Sequence, residues 1–407
     1  MVFAHDLGSG SVSTLANRRR LVYWNLTNHH PARGELSEAY EMGLWNRLEN
    51  YPATSLPTAS AFNNLFFERS TKQLASDKVS PRIFITGATG YVGGQTAATL
   101  IAKHPEYNVV ALVRDEQQAA QLKSLWSAIN TVIIGTLDDD KVLKDEAAKA
   151  DVVLQIASSD HIPVVKSLLS GLGAGRGRFI HISGTGVLND MSTRPGNTTE
   201  KVYDDVKDIK EIITLPAEAL HRDADDAVIS GGVQGGVSTA IVCPPTIFGV
   251  GEGPVKKRSM QIPFLTEAIL NRGKGFTVGN GNNIWDYAHV SDIARAFVLL
   301  IEEALKPNKG AATWGQEGYY FVESGEFTWK STSEKVTEIA HQQGKLATAE
   351  VEELSVEDAV KFHHWAPVLW GGNCCSRASR LRPLGWKPEG PTIWETLPSI
   401  VDFEIRK

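Results

Sequence analysis

The sequence predicts an α/β protein built on a doubly wound parallel sheet with a smaller C-terminal lobe. After Pro81, short continuous apolar runs alternate with helical segments, as buried parallel strands and their crossover helices do. A glycine-rich stretch, ITGATGYVGGQ at 85–95, joins the first apolar run to the first helix. After Pro245 the pattern changes to loops, aromatic residues and amphipathic helices. Together these observations indicate a Rossmann-type domain at 81–245 and a substrate-binding lobe at 246–407.

Within the first of these ranges, strands and helices follow in regular order. The helical segments include YVGGQTAATLIAKHP and EQQAAQLKSLWSAI, and the predicted strands are RIFITGA, NVVALVRD, TVIIGTL, DVVLQIAS, RFIHISG and STAIVCPP. The strand runs are apolar throughout rather than alternating, which indicates a sheet covered by helices on both faces. In the C-terminal lobe, SMQIPFLTEAILNRG and SDIARAFVLLIEEAL are predicted helices.

Residues 1–80 differ in composition from the rest of the chain. They are rich in Asn, Ser, Thr and Arg and lack strand-like apolar runs. One stretch, RGELSEAYEMGLWNRLENY, has apolar residues at helical spacing. We expect an N-terminal extension that is poorly ordered or loosely docked on the remainder of the protein.

The composition narrows the range of partners. The chain has 407 residues and a formal net charge of −6, which argues against nucleic-acid binding because neutralising phosphates needs a basic face. No apolar run approaches the roughly 18 residues of a membrane helix. The three cysteines, Cys243, Cys374 and Cys375, lack metal-ligand spacing, so we expect no metal and a cytoplasmic protein with reduced thiols. A small-molecule substrate is the expected partner, and a homo-oligomer is compatible with the sequence.

The glycine-rich stretch has the context of a dinucleotide-binding loop. A strand precedes it, a helix follows it, and a second strand comes next. In such a loop Gly87 allows the tight turn, Gly90 lets the backbone approach a pyrophosphate, and Gly93 lets the helix pack close to the strand. The helix N-terminus then offers free N–H groups to the phosphates.

The end of the second strand distinguishes NADP from NAD. An NAD site usually has a carboxylate about 20 residues past the loop, where it binds the ribose hydroxyls. Here Val113 stands at that place and Arg114 follows it, which favours the 2′-phosphate of NADP. In the alternative, Arg114 is a solvated surface residue and Asp115 binds the ribose.

Five stretches give the chain a family resemblance. TGATGYVGG, GTLDD at 135–139, LQIASS at 154–159, CPPTIFGVGEGP and HVSDIARA at 289–296 follow one another in the order expected. In this respect the sequence resembles the extended short-chain dehydrogenase/reductase family, the NAD-dependent epimerase/dehydratase group, with Cys243 in place of the family's arginine. Taken with the glycine loop and the second strand, the resemblance implies cofactor contacts from Gly87, Thr89, Gly90, Tyr91, Val92, Gly93, Arg114, Thr136, Leu137, Ala157 and Pro244.

The resemblance also implies a catalytic set, which consists of a Ser or Thr after the fifth strand and a Tyr-x-x-x-Lys on the next helix. Ser183 is the expected hydroxyl residue, with Thr185 as the alternative. Tyr203 and Lys207 supply the Tyr-x-x-x-Lys pattern 203 − 183 = 20 residues later. In the family the lysine lowers the pKa of the tyrosine, which then exchanges a proton with the reacting oxygen.

A second alignment of the catalytic helix is open. TLPAEAL at 214–220 separates Tyr203 from the next strand, and neighbouring aspartates disfavour a phenolate. If AEALHRDADDAVIS is the catalytic helix, His221 or Arg222 stands near the expected lysine and the helix has no tyrosine. In that case Tyr203 is a surface residue, and His221 either replaces the acid/base or merely caps the helix.

Three functions follow from these patterns. The first is an NADP-dependent oxidoreductase that transfers hydride between NADP(H) and a small carbonyl or alcohol substrate. The second is a sugar-nucleotide epimerase or dehydratase, with KKR at 256–258 and Arg272 binding a diphosphate. The third is a non-catalytic regulator that senses NADP(H).

Overall fold

The computed structural model describes residues 80–175, 177–189 and 194–407. Apart from Ser80, the extension predicted for 1–80, with its helical stretch, lies outside these residues. Residues 80–407 form one compact unit. In the described ranges, no helix combines the length and the apolar character needed to cross a membrane.

Strands and helices alternate along the described chain. The strands are β1 (Arg82–Thr86), β2 (Asn108–Val113), β3 (Ile129–Ile134), β4 (Val152–Gln155), β5 (Arg178–Ile182), β6 (Tyr203–Asp204), β7 (Ser238–Cys243), β8 (Thr246–Phe248), β9 (Gly275–Val278), β10 (Ile284–His289), β11 (Tyr319–Phe321), β12 (Gly325–Thr328), β13 (Val351–Leu354) and β14 (Ser376–Arg377). The helices are α1 (Tyr91–Lys103), α2 (Glu116–Leu125), α3 (Asp140–Ala147), α4 (Ile162–Leu172), α5 (Ile209–Ile212), α6 (Arg222–Gly235), α7 (Gln261–Arg272), α8 (Val290–Leu305), α9 (Trp329–Gln342), α10 (Val356–Ala359) and α11 (Ile393–Arg406).

A seven-stranded sheet in the order β11-β7-β5-β4-β1-β2-β3 forms the centre of the larger lobe. All of its strand pairs are parallel. The chain runs outward from β1 through β2 to β3 and then crosses to β4 on the other side of β1. This reversal makes the sheet doubly wound and creates a crevice at the carboxyl ends of β1 and β4. The predicted fold class is confirmed.

The helices of this lobe pack in two groups. One group joins α1 to α8, and the other joins α3 to α4 and α4 to α6. Right-handed crossovers place helices on one face while the strand order runs in one direction, and on the other face after it reverses, so the inner strands are covered on both sides. The apolar residues of β1, β2, β4, β5 and β7 are accordingly buried, whereas Ile134 of the edge strand β3 is exposed.

The smaller lobe has its own sheet and its own hydrophobic core. Strands β12, β10 and β8 form a three-stranded sheet, and β13 pairs with β9. Helices α7, α9 and α11 pack against one another beside them. The core is rich in aromatic side chains, including Phe248, Phe276, Trp329 and Trp370.

The two lobes are not consecutive along the chain. Helix α8, which follows β10 of the smaller lobe, packs on α1 of the larger lobe. Strand β11 then adds an edge strand to the large sheet by pairing with β7. The larger sheet therefore draws on both 81–245 and 246–407, and the division into domains at those bounds stays a prediction.

Candidate functional site

The glycine loop approaches neighbouring backbone too closely for side chains. Gly87 has a φ of +88°, and a Cβ added to it would lie 2.7 Å from the Cα of Ala157. A Cβ on Gly93 would lie 2.2 Å from the carbonyl oxygen of Gly87. No side chain caps the N-terminus of α1 at Gly90. The loop is thus a bare backbone cradle that ends in free helix N–H groups, the arrangement that suits a pyrophosphate.

A cleft of about 230 Å³ opens beside this loop at the carboxyl edge of β1 to β4. Seven of the predicted cofactor residues line it together: Gly87, Thr89, Gly90, Arg114, Thr136, Leu137 and Ala157. The other four lie nearby in sequence or structure. Tyr91, Val92 and Gly93 form the start of α1, and the carbonyl oxygen of Pro244 accepts a hydrogen bond from Thr185 N. Sequence reasoning missed Gln118 and Val255, which also line the cleft, and assigned Lys256, a further lining residue, to a diphosphate.

Two side chains at the end of β2 differ in their surroundings. Arg114 is exposed and lines the cleft. Asp115 is the N-cap of α2, and its Oδ1 accepts a hydrogen bond of 2.8 Å from Gln118 N. The carboxylate that could compete for the ribose is therefore engaged in helix capping.

A segment following β8 lies across the glycine loop. The hydroxyl of Tyr91 donates to the carbonyl of Gly249 at 2.6 Å, and Gln95 exchanges two hydrogen bonds of 3.0 Å with Glu252. Lys256 N donates to the carbonyl of Thr89. These contacts bring Lys256 to the cleft that Arg114 also lines, although the two residues are far apart in the sequence.

Two other cations predicted for a sugar-nucleotide diphosphate, Arg258 and Arg272, have acidic partners in the smaller lobe. Arg258 forms an ion pair with Glu404 on α11. Arg272 pairs with Glu352 and donates to two backbone carbonyls. Their guanidinium groups are thus committed to the packing of the smaller lobe.

Ser183 lies directly after β5, as predicted, but its hydroxyl does not face the cleft. Its Oγ donates to Oδ2 of Asp225 at 2.9 Å, and both side chains are buried. Tyr319 on β11 donates to the same oxygen at 2.8 Å. Burial raises the pKa of Asp225 to about 6. The hydroxyl thus donates to a buried carboxylate that α6 brings, and the catalytic role of Ser183 stays a prediction.

Tyr203 and Lys207 do not form the expected helical pair. Tyr203 lies in β6 and pairs with Ser376 of β14, and a turn follows it. Lys207 N donates to Oδ1 of Asp204 within that turn. Residues four apart are neighbours on a helix, and because these two lie in a short strand and a turn, the helical Tyr-x-x-x-Lys geometry is absent. Tyr203 instead lines a second cavity of about 410 Å³ together with Val187, Leu188, Leu215, Pro216 and Ala219, among others.

His221 immediately precedes α6, the helix that leads into β7. Its Nδ1 lies 2.5 Å from Oδ1 of Asp160, which follows β4. A Cβ added to Gly184 or Gly186 would lie 3.2 or 3.4 Å from its Nε2. The hydrogen bond with His221 lowers the pKa of Asp160. The helix of the second alignment is present as Arg222–Gly235, and its catalytic role stays a prediction. The structure places an imidazole–carboxylate pair, His221 and Asp160, at the carboxyl edge of the sheet.

Two family models match the chain. The model described as NAD(P)H-binding matches residues 87–247, and the model of the NAD dependent epimerase/dehydratase family matches residues 218–311. The chain is 34% identical to Oxidase ucsJ of Acremonium sp, over 81% of this chain and 99% of that protein. It is 26% identical to the 4-hydroxy-2-methyl-3-oxo-4-farnesyl-3,4-dihydroquinoline-1-oxide ketoreductase of Stigmatella aurantiaca, over 71% of this chain and 80% of that protein.

A solved structure shares the fold. DesIV, a dTDP-glucose 4,6-dehydratase from Streptomyces venezuelae with NAD and TYD bound, superimposes with a TM-score of 0.56 at 17% identity. The match covers 80% of this chain and 97% of that chain. The parallel sheet and its flanking helices are therefore those of an NAD(P)-binding fold. In the described part of the chain, no group of three or more His, Cys, Asp or Glu residues is placed to hold a metal ion.

Proposed function

This chain belongs to the extended short-chain dehydrogenase/reductase family, in its NAD-dependent epimerase/dehydratase group, and on that premise we propose that it is an NADP(H)-dependent oxidoreductase. Its relatives include an oxidase and a ketoreductase. The proposed reaction is hydride transfer between NADP(H) and a small carbonyl or alcohol.

One observation carries the choice of NADP. Arg114 and Lys256 line one cleft, whereas Asp115 caps α2 through its Oδ1. A phosphate on the 2′-oxygen could pair with these two cations, whereas the carboxylate that follows Arg114 is held at the N-terminus of α2. The bare glycine cradle beside them fits the pyrophosphate.

The residues of the chain have separate tasks in this proposal. Gly87, Gly90 and the first turn of α1 bind the pyrophosphate, and Thr136 and Leu137 flank the adenine. Ala157 orients the nicotinamide half at the end of β4. When bound, the cofactor supplies or accepts the hydride. The cavity lined by Leu188, Leu215 and their neighbours suits a small substrate with an apolar part.

A non-catalytic NADP(H) sensor is the second candidate, and one observation favours it. Helix α6 carries no tyrosine, and the Ser183 hydroxyl is turned towards Asp225. The hypothesis of a sugar-nucleotide epimerase or dehydratase has less support, because Arg258 and Arg272 are engaged in ion pairs.

The proposal is tested by titrating purified protein with NADPH and NADH and following nucleotide fluorescence. We expect Arg114→Ala to weaken NADPH by about 10- to 100-fold, the effect of losing a charged hydrogen bond of roughly 1.5–3 kcal/mol. NADH should be affected by less than about threefold. Equal losses for the two nucleotides would overturn the NADP assignment, and a panel of ketones and aldehydes without turnover would favour the sensor.

A further inference from the structure

We propose that His221 is the proton donor and acceptor of this site, and that Asp160 is the positioning residue that orients it. The inference rests on the proposed oxidoreductase function. It names the proton-transfer group for a chain whose α6 carries no tyrosine.

The pair lies where ligands bind in this fold. Asp160 follows β4, and His221 lies over the turn that follows β5, next to Gly184 and Gly186. In open α/β sheets, ligands bind outside the carboxyl ends of the strands. Ala157, three residues before Asp160, lines the cofactor cleft. The imidazole thus borders the region into which the nicotinamide end of a bound dinucleotide would extend.

The backbone at His221 is unusual for a residue with a side chain. Its φ is 67° and its ψ is −12°, in the left-handed region. It occupies the N-cap position of α6, yet its side chain makes no capping hydrogen bond. Asparagine and aspartate are the better helix caps. The imidazole of His221 makes its hydrogen bond with Asp160 and leaves the helix start without a side-chain cap.

The ring has one nitrogen engaged and one available. Nδ1 is bound to Asp160, and among the described residues none forms a hydrogen bond with Nε2. The side chain is 22% exposed, so a ligand can reach it. The titratable groups that face it are Asp160 after β4, His181 on β5 and Asp225 on α6. Burial lowers the pKa of His181 to about 4, which keeps that neighbour uncharged at neutral pH.

The proton balance of carbonyl reduction fits this arrangement. Hydride addition to the carbonyl carbon breaks the C=O π bond and leaves its electron pair on oxygen. That oxygen takes the proton from Nε2 of the imidazolium, and the product is an alcohol. The neutral imidazole keeps its proton on Nδ1, where the Asp160 carboxylate accepts it. In alcohol oxidation the same steps run in reverse, with Nε2 as the base.

The first test follows the imidazole and not turnover. In protein labelled with ¹⁵N-histidine, the resonances of His221 are assigned from their loss in His221→Asn, a substitution that asparagine's tolerance of left-handed backbone makes mild. We expect NADPH to shift the Nε2 resonance, and 2′,5′-ADP, which lacks the nicotinamide, to leave it unchanged. We also expect Asp160→Asn to abolish the preference for a proton on Nδ1. His104 is the matched control, because it is held by Glu302 at the C-terminal end of α1.

The second test measures turnover with the ketone or aldehyde that the wild-type protein reduces fastest. His221→Asn should lower kcat by about 10²- to 10⁴-fold, the usual contribution of a general acid, and leave the Kd for NADPH within about twofold. Asp160→Asn should lower kcat without raising KM. His104→Asn should leave both unchanged.

The outcomes separate the inference from the proposed function. Undiminished turnover in His221→Asn, or a wild-type Nε2 resonance that NADPH does not move although it binds, overturns the inference alone. Failure of NADPH to bind, or the absence of carbonyl turnover by the wild-type protein, overturns the proposed function and the inference with it.

Discussion

Two regions at the carboxyl edge of the large sheet are built in different ways. In the glycine loop the close contacts are between backbone atoms, within Gly87 to Gly93 and between Gly87 and Ala157. In the other region they are side-chain pairs between distant elements: His221 and Asp160 are 61 residues apart, and Ser183 and Asp225 are 42 apart. A backbone cradle tolerates no added atom, whereas a side-chain pair can be exchanged for another. The glycine loop lies in the stretch that matches the NAD(P)H-binding family model, whereas α6 lacks a tyrosine.

Gly93→Ala tests the backbone end and should have the largest effect. The added methyl group would lie 2.2 Å from the carbonyl oxygen of Gly87 and would displace the loop. We expect a loss of NADPH affinity of at least about 100-fold and destabilisation of about 1–3 kcal/mol. Gly235→Ala at the end of α6 is the control, since its nearest neighbour would be 3.7 Å away. Unchanged NADPH binding in Gly93→Ala would refute the proposal that the glycine loop binds the pyrophosphate.

Asp225→Asn tests the side-chain end through pH. Burial raises the pKa of Asp225 from 3.8 to about 6, so between these values the folded protein holds a proton that the unfolded chain has released. The group's contribution to stability is therefore complete below about pH 4 and declines as the pH rises to about 6. Removing the titration should flatten this decline by about 2–3 kcal/mol. Urea unfolding from pH 4 to 7 measures it.

The control for that experiment is Asp226→Asn, whose side chain is 63% exposed on the same helix. It should leave the decline between about pH 4 and 6 in place. An Asp225→Asn protein with the wild-type pH dependence would show that the carboxylate is not buried in the folded state.

Ser183→Ala separates a structural hydroxyl from a catalytic one. The substitution deprives the buried Asp225 of one donor and should cost about 1–3 kcal/mol of stability. Because the hydroxyl donates away from the cleft, we expect carbonyl turnover to fall by less than about tenfold, far less than for a general acid. Thermal unfolding and steady-state kinetics measure the two effects. A loss of turnover as large as that of His221→Asn would show that Ser183 is a catalytic residue.

Asp115→Ala should have the smallest effect. The helix cap of α2 is lost, at a cost of about 1 kcal/mol. Binding of NADH and of NADPH should change by less than about threefold, in contrast to Arg114→Ala. Strong weakening of NADH by this substitution would instead assign Asp115 to the ribose.

Much of the large sheet could be predicted from the sequence. Short continuous apolar runs such as IFIT at 83–86 and VVAL at 109–112 alternate with helical segments, as strands of a parallel sheet covered on both faces do. The return of β11 to this sheet could not be predicted, because three residues at 319–321 carry no signal that tells one sheet from another.

The candidate site divides in the same way. Some of the cofactor-binding residues could be predicted because each lies close behind the end of a strand: the glycine loop, Arg114, Thr136, Leu137 and Ala157. Lys256 was assigned to a diphosphate in the other lobe, since only the hydrogen bonds from 249–257 to α1 bring it to the cleft. Tyr203 and Lys207 have the spacing of the Tyr-x-x-x-Lys pattern, but they lie in a strand and a turn and not on a helix.

The sequence by itself determined the fold class, the glycine cradle and the NAD(P)-type cleft, because strand periodicity and a close backbone turn are properties of consecutive residues. The tertiary structure alone decided that Ser183 donates to Asp225, that Lys256 joins Arg114, and that His221 pairs with Asp160. Each of these contacts depends on where a helix or loop packs after a long connection. The spacing of residues along the chain does not determine which distant side chains come within hydrogen-bonding distance.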